Sequence, residues 1–255
     1  MRLEDARILV CNDDGVNAVG IKILEKIAKS LSNDVWVVAP ENEQSASGHS
    51  LTLTVPLRVR EIGYQKYAIN GTPTDSVLVA VQHIIADRKP NLVLSGINAG
   101  GNLGDDITYS GTVAAALEAA LLGIPSIALS QLCVYGEKVC WEASEYYAPQ
   151  IIRQLAWEEW SKNVPLNINF PNLPAAAVGR VKITSQGKRK LGGSVKTGTD
   201  PRGHNYIWVG TDRDEDPHIE GSDLKAVNEG HISITPLCLD LTHYPTMSAL
   251  RNTFQ

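Results

Sequence analysis

Residues 8–15 have the sequence ILVCNDDG, in which an apolar run ends in two adjacent carboxylates and a glycine. The apolar part suits a strand buried on both faces, and residues 19–31 then place Ile21, Leu24, Ile27 and Leu31 at helical spacing. A second apolar run follows at 34–39 and is stopped by a proline. Together these segments predict a strand–helix–strand unit, the opening of an α/β fold.

The rest of the first 170 residues repeats this order of strands, polar loops and helices. The hydrophobic pattern predicts strands at 51–60, 66–69, 92–95, 126–130 and 166–170, and helices at 74–85, 112–122 and 143–160. Such repetition predicts a Rossmann-like, doubly wound and mainly parallel sheet. Beyond it, short strands at 178–185, 206–210 and 231–236 are joined by long polar loops, among them 192–205. We therefore expect a domain at 1–170 and a smaller, hairpin-rich C-terminal extension at 171–255.

Composition excludes several classes of function. The formal net charge of -5 provides no basic field for a nucleic-acid duplex or an anionic membrane surface. No run of about 20 apolar residues is present, which argues against a membrane span. The four cysteines have neither zinc-site spacing nor the density of a disulfide scaffold, and no apolar signal segment precedes the first strand. We expect a cytoplasmic protein.

The adjacent carboxylates Asp13 and Asp14 need a physical explanation. Two like charges raise each other's pKa unless a positive charge lies between them, and a divalent cation would satisfy both. The alternative is a solvated turn, because Asp-Gly is a common turn dipeptide. Position favours the cation: ligands of open α/β sheets bind beyond the carboxyl ends of the strands, where the polar loops 12–17, 41–50 and 96–112 should meet.

The loop at 96–112 carries further candidates. Asn98 and Asn102 are neutral oxygen donors, and Ser110 is a natural N-cap for a helix whose free backbone amides could hold an anion. An ordinary capped helix is the alternative. The glycines of this loop match neither the dinucleotide fingerprint nor the phosphate loop of nucleotide triphosphatases, and Ser95 is not in the nucleophile elbow of a serine hydrolase.

Five stretches of the chain carry a resemblance to a known family. They are ILVCNDDGVNAVGI, VVAPENEQSASGHSLTL, NGTPTDSV, LVLSGINAGGNLGDDITYSGTVAAALEAALLGIPSIALS and ISITPLCLDLTH. Together they resemble the SurE family of metal-dependent nucleotidases, and the likeness covers nearly the whole chain. The resemblance implies a phosphatase that acts on nucleoside 5'- and 3'-monophosphates, in some members also on short-chain polyphosphate.

The resemblance also implies roles for individual residues. One divalent ion per subunit, Mg²⁺ or Mn²⁺, would be held by the metal ligands Asp13, Asp14, Ser45 and Asn98. The residues expected near the substrate phosphate are Asn12, Ser110, Gly111 and Thr112. The resemblance further implies a homodimer or homotetramer in which the C-terminal extension is exchanged between subunits.

Several mechanistic and functional alternatives stay open at the level of sequence. Asp13 or Asp14 could activate a water, or one of them could attack phosphorus to form an aspartyl-phosphate. A signalling receiver domain also has an acidic pair after its first strand, but it would need an aspartate at the end of a later strand, where this chain has Ser-Gly-Ile-Asn. A scaffold that kept the pocket without catalysis is the other alternative. Arg202 and His204 are candidates for substrate or subunit contact.

Overall fold

The computed structural model describes residues 2–134, 136–155, 163–210 and 212–254. Its centre is a nine-stranded sheet in the order β3-β4-β2-β1-β5-β6-β7-β13-β8. The strands of this sheet are β1 Arg7–Cys11, β2 Asp34–Pro40, β3 Val59–Gly63, β4 Lys66–Ile69, β5 Leu92–Ala99, β6 Ser126–Gln131, β7 Leu166–Phe170, β8 Val181–Ile183 and β13 Ile232–Pro236. The remaining strands form two antiparallel ribbons: β9 Lys188–Leu191 with β12 Arg213–Asp216, and β10 Val195–Thr199 with β11 Asn205–Val209.

Helices cover both faces of the sheet. They are α1 Val19–Lys29, α2 Pro73–Val79, α3 Gly111–Leu121, α4 Glu142–Gln154 and α5 Asp223–Asn228. The C-terminal helix α6 Tyr244–Thr253 has no buried residue. Apolar residues of α1 and α4 form one core with the sheet, whereas α2 and α3 contribute to a second core on the other face. This arrangement confirms the predicted doubly wound architecture. No helix among the described residues combines the length and the apolar character needed to span a bilayer.

The winding of the sheet reverses at β1. From β1 the chain proceeds to β2 and β4 on one side and then returns to β5 on the other, and each of these pairings is parallel. All five residues of β1 are buried, as expected for the central strand of a sheet covered on both faces. The carboxyl ends of β1 and β5 therefore form the topological switch point, where an open α/β sheet binds its ligands.

Some predicted elements differ from the observed ones. The prediction of a strand at 51–60 was wrong for most of its length, since Leu51, Leu53 and Val55 alternate but are all exposed, and only β3 at its end is paired. The helix predicted at 74–85 is α-helical only as far as Val79, the last residue of α2. It continues as one π-helical turn, Ala80–Ile84. The helix predicted at 143–160 is observed as α4, and residues 156–162 lie outside the described part.

The C-terminal extension has more regular structure than predicted. The ribbon β9–β12 and the helices α5 and α6 were not predicted, and β10 lies inside the segment predicted as a polar loop. Strands β8 and β13 belong to the main sheet, because β13 pairs antiparallel with β7 and parallel with β8. The hairpin-rich character of the extension is confirmed. The division of the chain at residue 170 stays a prediction.

Candidate metal and phosphate site

Three loops meet at the switch point, as the position of the polar segments predicted. The backbone amide of Gln44 donates to the carbonyl of Asp13 at 2.8 Å, which ties the loop at 41–50 to the end of β1. The amide of Gly48 donates to the carbonyl of Tyr109 at 3.0 Å, which ties the same loop to the segment before α3. The amide of Ala99 donates to Oδ2 of Asp14 at 3.2 Å and brings in the end of β5.

The turn after β1 depends on a close approach of two backbones. Gly15 has a φ of +94°, and a Cβ there would lie 3.2 Å from the carbonyl carbon of Asn42. A side chain at this position would be strained by the backbone conformation and would also press on the loop at 41–50. Asn12 supports the same turn, because its buried side-chain amide donates to the carbonyl of Gly15 at 3.0 Å. The side chain of Asn12 thus stabilises the turn. A contact between Asn12 and the substrate phosphate remains a prediction.

Asp13 is buried against the start of α3. The hydroxyl of Thr112 donates to its Oδ1, and a Cβ on Gly111 would lie 2.8 Å from its Cβ. Burial raises the pKa of Asp13, while the Thr112 hydroxyl and backbone N–H groups oppose that rise. Asp13 therefore occupies part of the electropositive helix start, and Gly111 is the residue whose small size allows it to do so.

Asp14 is the more accessible of the two carboxylates. Burial, followed by the charge of Asp13, raises the pKa of Asp14 to about 6, and the backbone amide of Ala99 opposes this rise. Glu43, in the loop at 41–50, adds a further negative charge that raises the pKa of both aspartates. This concentration of negative charge in a partly desolvated site is what a bound cation would relieve.

The neutral oxygens fit the same interpretation. The side-chain amide nitrogen of Asn98 donates to the carbonyl of Gly100 at 2.8 Å, so its nitrogen is committed, and its Oδ1 has no hydrogen bond in the described part of the chain. The exposed Ser45 donates its hydroxyl proton to Oε1 of Glu43 at 2.7 Å, which leaves the oxygen lone pairs for a metal. Oxygen donors of this kind suit Mg²⁺ or Mn²⁺.

The donor set fits a hard cation rather than a zinc-type ion. No group of three or more His, Cys, Asp or Glu side chains within the described ranges is arranged to hold a metal. The residues predicted as ligands accordingly combine the carboxylates of Asp13 and Asp14 with neutral oxygens of Ser45 and Asn98. The structure brings Asp13, Asp14 and Asn98 to one edge of the sheet and joins the loop of Ser45 to them.

The start of α3 has the features of a phosphate site. Ser110 caps the helix, since its hydroxyl oxygen accepts from the amide of Val113 at 3.0 Å. The side chains of Ser110 and Thr112 are thus engaged inside the protein, in the cap and on Asp13. Amides of a first helical turn lack intrahelical partners and carry the positive end of the helix dipole. What this segment offers an anion is its backbone, and the space beside the α-carbon of Gly111 is taken by Asp13.

Asp75 anchors the loop that carries Ser45, although it was not among the site residues predicted from the sequence. It accepts hydrogen bonds from the amide of Thr52 at 2.9 Å, from the hydroxyl of Thr52 at 2.6 Å and from the amide of Thr72 at 2.9 Å. Thr72 and Asp75 form a capping box at the start of α2, and the hydroxyl of Thr72 also donates to the carbonyl of Ser50. The capping-box pattern in TPTD was the available signal. The contact between Thr52 and Asp75 could not be predicted from the sequence, because no spacing rule joins residues 23 positions apart.

A second anchor joins the other side of this loop to α3. Nε2 of His49 lies 3.0 Å from Oε2 of Glu118, a mostly buried side chain. Both anchors act on the segment between β2 and β3, which has no regular secondary structure of its own. The loop at 41–50 therefore depends for its position on side chains from α2 and α3.

Comparisons with known proteins identify the family of this chain. The family model described as "Survival protein SurE" matches residues 8–193. A protein named 5'-nucleotidase SurE from Paramagnetospirillum magneticum is 57% identical over 248 residues, which are 97% of this chain and 95% of that protein. Its namesake from Rhodospirillum rubrum is 48% identical, with 99% and 97% covered. The crystal structure of the SurE protein from Aquifex aeolicus superimposes with a TM-score of 0.83 at 40% identity, covering 98% of this chain and all of that one. The chain belongs to the SurE family.

Proposed function

We propose that this protein is a divalent-metal-dependent phosphatase that hydrolyses nucleoside 5'- and 3'-monophosphates. The observation that carries the proposal is the contact between Asp13 and the start of α3. This contact places the carboxylate pair, which a cation would stabilise, next to a helix start that suits a phosphate. The relatives named 5'-nucleotidase SurE, which match nearly the whole chain, support the substrate class. Short-chain polyphosphate is proposed as an additional substrate, because it offers the same terminal phosphate.

The metal ligands in this proposal are Asp13, Asp14, Ser45 and Asn98, which hold one Mg²⁺ or Mn²⁺ ion per subunit. When bound, the ion supplies charge neutralisation and Lewis-acid polarisation of the phosphate. Glu43 keeps the hydroxyl of Ser45 oriented with its lone pairs available, as outer partners of metal ligands commonly do.

The two aspartates have different roles in the proposed reaction. Asp13 is held by Thr112 and stays fixed as a ligand. Asp14 is less buried than Asp13, so it is the better placed group to accept the proton of an attacking water. The backbone at Ser110, Gly111 and Thr112 holds the phosphate oxygens, and phosphoryl transfer needs little beyond such positioning and charge stabilisation. Asn12 supports the turn that carries the two aspartates, because its side-chain amide donates to the carbonyl of Gly15.

We also propose that the protein assembles as a homodimer or homotetramer through its C-terminal extension. The ribbon β10–β11 exposes Tyr206, Ile207, Trp208 and Val209 within one strand, so both of its faces are apolar and exposed. An isolated two-stranded ribbon is marginally stable in water, and a second subunit would bury these side chains. Sedimentation should show a dimer or tetramer that Ile207→Lys dissociates. A wild-type protein that is monomeric at micromolar concentration would contradict this part.

The enzymatic proposal is tested by phosphate release from chelator-treated protein. The substrates are a panel of nucleoside 5'- and 3'-monophosphates and tripolyphosphate, each with Mn²⁺, with Mg²⁺ and with no metal. Release should require a divalent ion, and Asp14→Asn should lower kcat by about 10²–10⁴-fold, the usual contribution of a positioned base. The exposed Asp5→Asn is the matched control and should be fully active. Metal-independent release, or none from any substrate, would refute the proposal.

The cytoplasmic location is proposed on the sequence alone.

A further inference from the structure

The ribbon β9–β12 of the C-terminal extension lies directly on the segment that leads into α3. A Cβ on Gly104 would be 2.7 Å from the backbone nitrogen of Arg189, so the two backbones are in close contact. The amide of Arg189 donates to Oδ2 of Asp105, and the side-chain amide of Gln186 donates to Oδ1 of the same residue, both at 3.3 Å. The turn Gly104–Thr108 is therefore covered by the extension rather than by the main sheet.

Two arginines of this ribbon converge on one carboxylate oxygen. Nε of Arg213 donates to Oδ2 of Asp106 at 3.1 Å, and Nε of Arg189 lies 3.0 Å from the same oxygen as an ion pair. The side chains of Asp106 and Arg189 are only 10% and 14% exposed. Burial and then the charge of Arg213 lower the pKa of Arg189, so the two guanidinium groups repel each other and Asp106 holds them together. We call Asp106, Arg189 and Arg213 the arginine clamp.

The clamp is linked to the proposed phosphate site by short connections. Asp106 lies four residues before the helix cap Ser110, and its carbonyl accepts from the amide of Tyr109 at 3.0 Å. The carbonyl of Tyr109 in turn accepts from Gly48 in the loop that carries Ser45. A shift of Asp106 would therefore move both the cap of α3 and this loop.

Cys133 responds electrostatically both to the clamp and to one of the two aspartates. The pKa of Cys133 is raised first by burial and then by Asp14, and Arg213 opposes the rise. Cys133 thus lies within electrostatic reach of Asp14 on one side and of Arg213 on the other. In the described part of the chain, the terminal nitrogens of Arg213 make no contact that would hold this side chain elsewhere.

We propose that Arg189 and Arg213 are positioning residues that act through Asp106 to hold the start of α3 where it binds the substrate phosphate. This inference rests on the proposed function, because it assigns the role of the clamp in the same reaction. It also gives the ribbon β9–β12 of the C-terminal extension a supporting role at the active site. Helix-start contacts are made in the ground state and in the transition state alike, so their loss should raise KM more than it lowers kcat.

A double-mutant cycle tests the proposal, with Arg213→Gln, Asp106→Asn and the two combined. Arg213 is 40% exposed, so its replacement should leave the protein folded. Displacement of reacting groups by about 1 Å can cost up to about 100-fold, and we expect Arg213→Gln to raise KM about 10-fold with kcat within about threefold of wild type. The double variant should be no worse than Asp106→Asn, because Arg213 acts only through that carboxylate. Arg251→Gln, in the exposed last turn of α6, is the control and should leave KM unchanged.

Inorganic phosphate provides a readout that needs no turnover. Its dissociation constant, measured by calorimetry with saturating Mn²⁺, should weaken in Arg213→Gln by the same factor as KM. An unchanged KM and phosphate affinity, or effects of the two single variants that multiply in the double variant, would overturn the proposal. If Asp106→Asn does not fold, Asp106→Glu replaces it in the cycle. Should wild type release no phosphate from any nucleotide, the proposed function fails on that result, and the phosphate titration alone then decides the clamp.

Discussion

Replacing Asp14 by asparagine should stabilise the metal-free protein at neutral pH. The pKa of Asp14 is raised from 3.8 to about 6 by burial and by Asp13, so the folded protein holds a proton more tightly there than the unfolded chain does. Stability from such a group is greatest in acid and is lost as the pH rises from about 4 to about 6. At about 1.36 kcal/mol for each pKa unit, the charged carboxylate costs roughly 3 kcal/mol at pH 7.5.

The amide of asparagine removes this cost while preserving the local contacts. Its carbonyl oxygen can still accept from the backbone amide of Ala99, as Oδ2 of Asp14 does at 3.2 Å. In urea titrations with chelator, Asp14→Asn should be about 2–3 kcal/mol more stable than wild type at pH 7.5 and about half as much at pH 5. Saturating Mn²⁺ should reverse the order, because only wild type gains the full binding free energy.

The comparison has a matched control and a clear contrary outcome. Asp5→Asn removes an exposed carboxylate paired with Arg2, and exposed pairs contribute about 0–1 kcal/mol, so this variant should stay within about 1 kcal/mol of wild type. If Asp14→Asn gave the same gain at pH 5 and pH 7.5, or were less stable than wild type without metal, the electrostatic account of the carboxylate pair would be wrong.

Three further changes test individual contacts of the site. Gly111→Ala puts a methyl group 2.8 Å from the Cβ of Asp13, so phosphate release should fall at least about tenfold in a folded protein; Gly63→Ala, whose Cβ would meet no atom closer than 3.8 Å, should be fully active. Thr112→Val removes the hydroxyl that opposes the raised pKa of Asp13, so Mn²⁺ affinity measured by calorimetry should weaken about tenfold, while Thr112→Ser should keep it. Asp75→Ala leaves three donors unpaired and should cost about 1–3 kcal/mol in urea unfolding, together with weaker Mn²⁺ binding; unchanged metal affinity would separate this anchor from the site.

The sequence was most informative where local pattern and global fold coincide. The buried run before Asn12 and the helical spacing of Ile21, Leu24 and Ile27 predicted β1 and α1, because a central parallel strand and an amphipathic helix each carry a distinct periodicity. The acidic pair indicated a cation through charge repulsion together with its position at the carboxyl end of a buried strand. Its partners Ser45 and Asn98 came from the family resemblance, since no spacing rule joins loops that the sheet brings together.

The charged ribbon β9–β12 shows why other parts were missed. Its strands have no hydrophobic alternation, and they pair Lys188 with Asp216, Arg189 with Glu215 and Lys190 with Asp214. Opposite charges across the strands, rather than a buried face, match the two partners. Such a ribbon leaves no period for sequence analysis to detect, and the arginine clamp could be recognised only after it was seen to dock on the turn before α3.

One divalent ion should join the carboxylate pair to the loops at 41–50 and 96–112. Anomalous diffraction from a crystal grown with Mn²⁺ tests it most directly. We predict one peak per chain at the switch point, within about 2.0–2.3 Å of oxygens from Asp13, Asp14, Ser45 and Asn98. A peak elsewhere, or none at saturating Mn²⁺, would contradict the account.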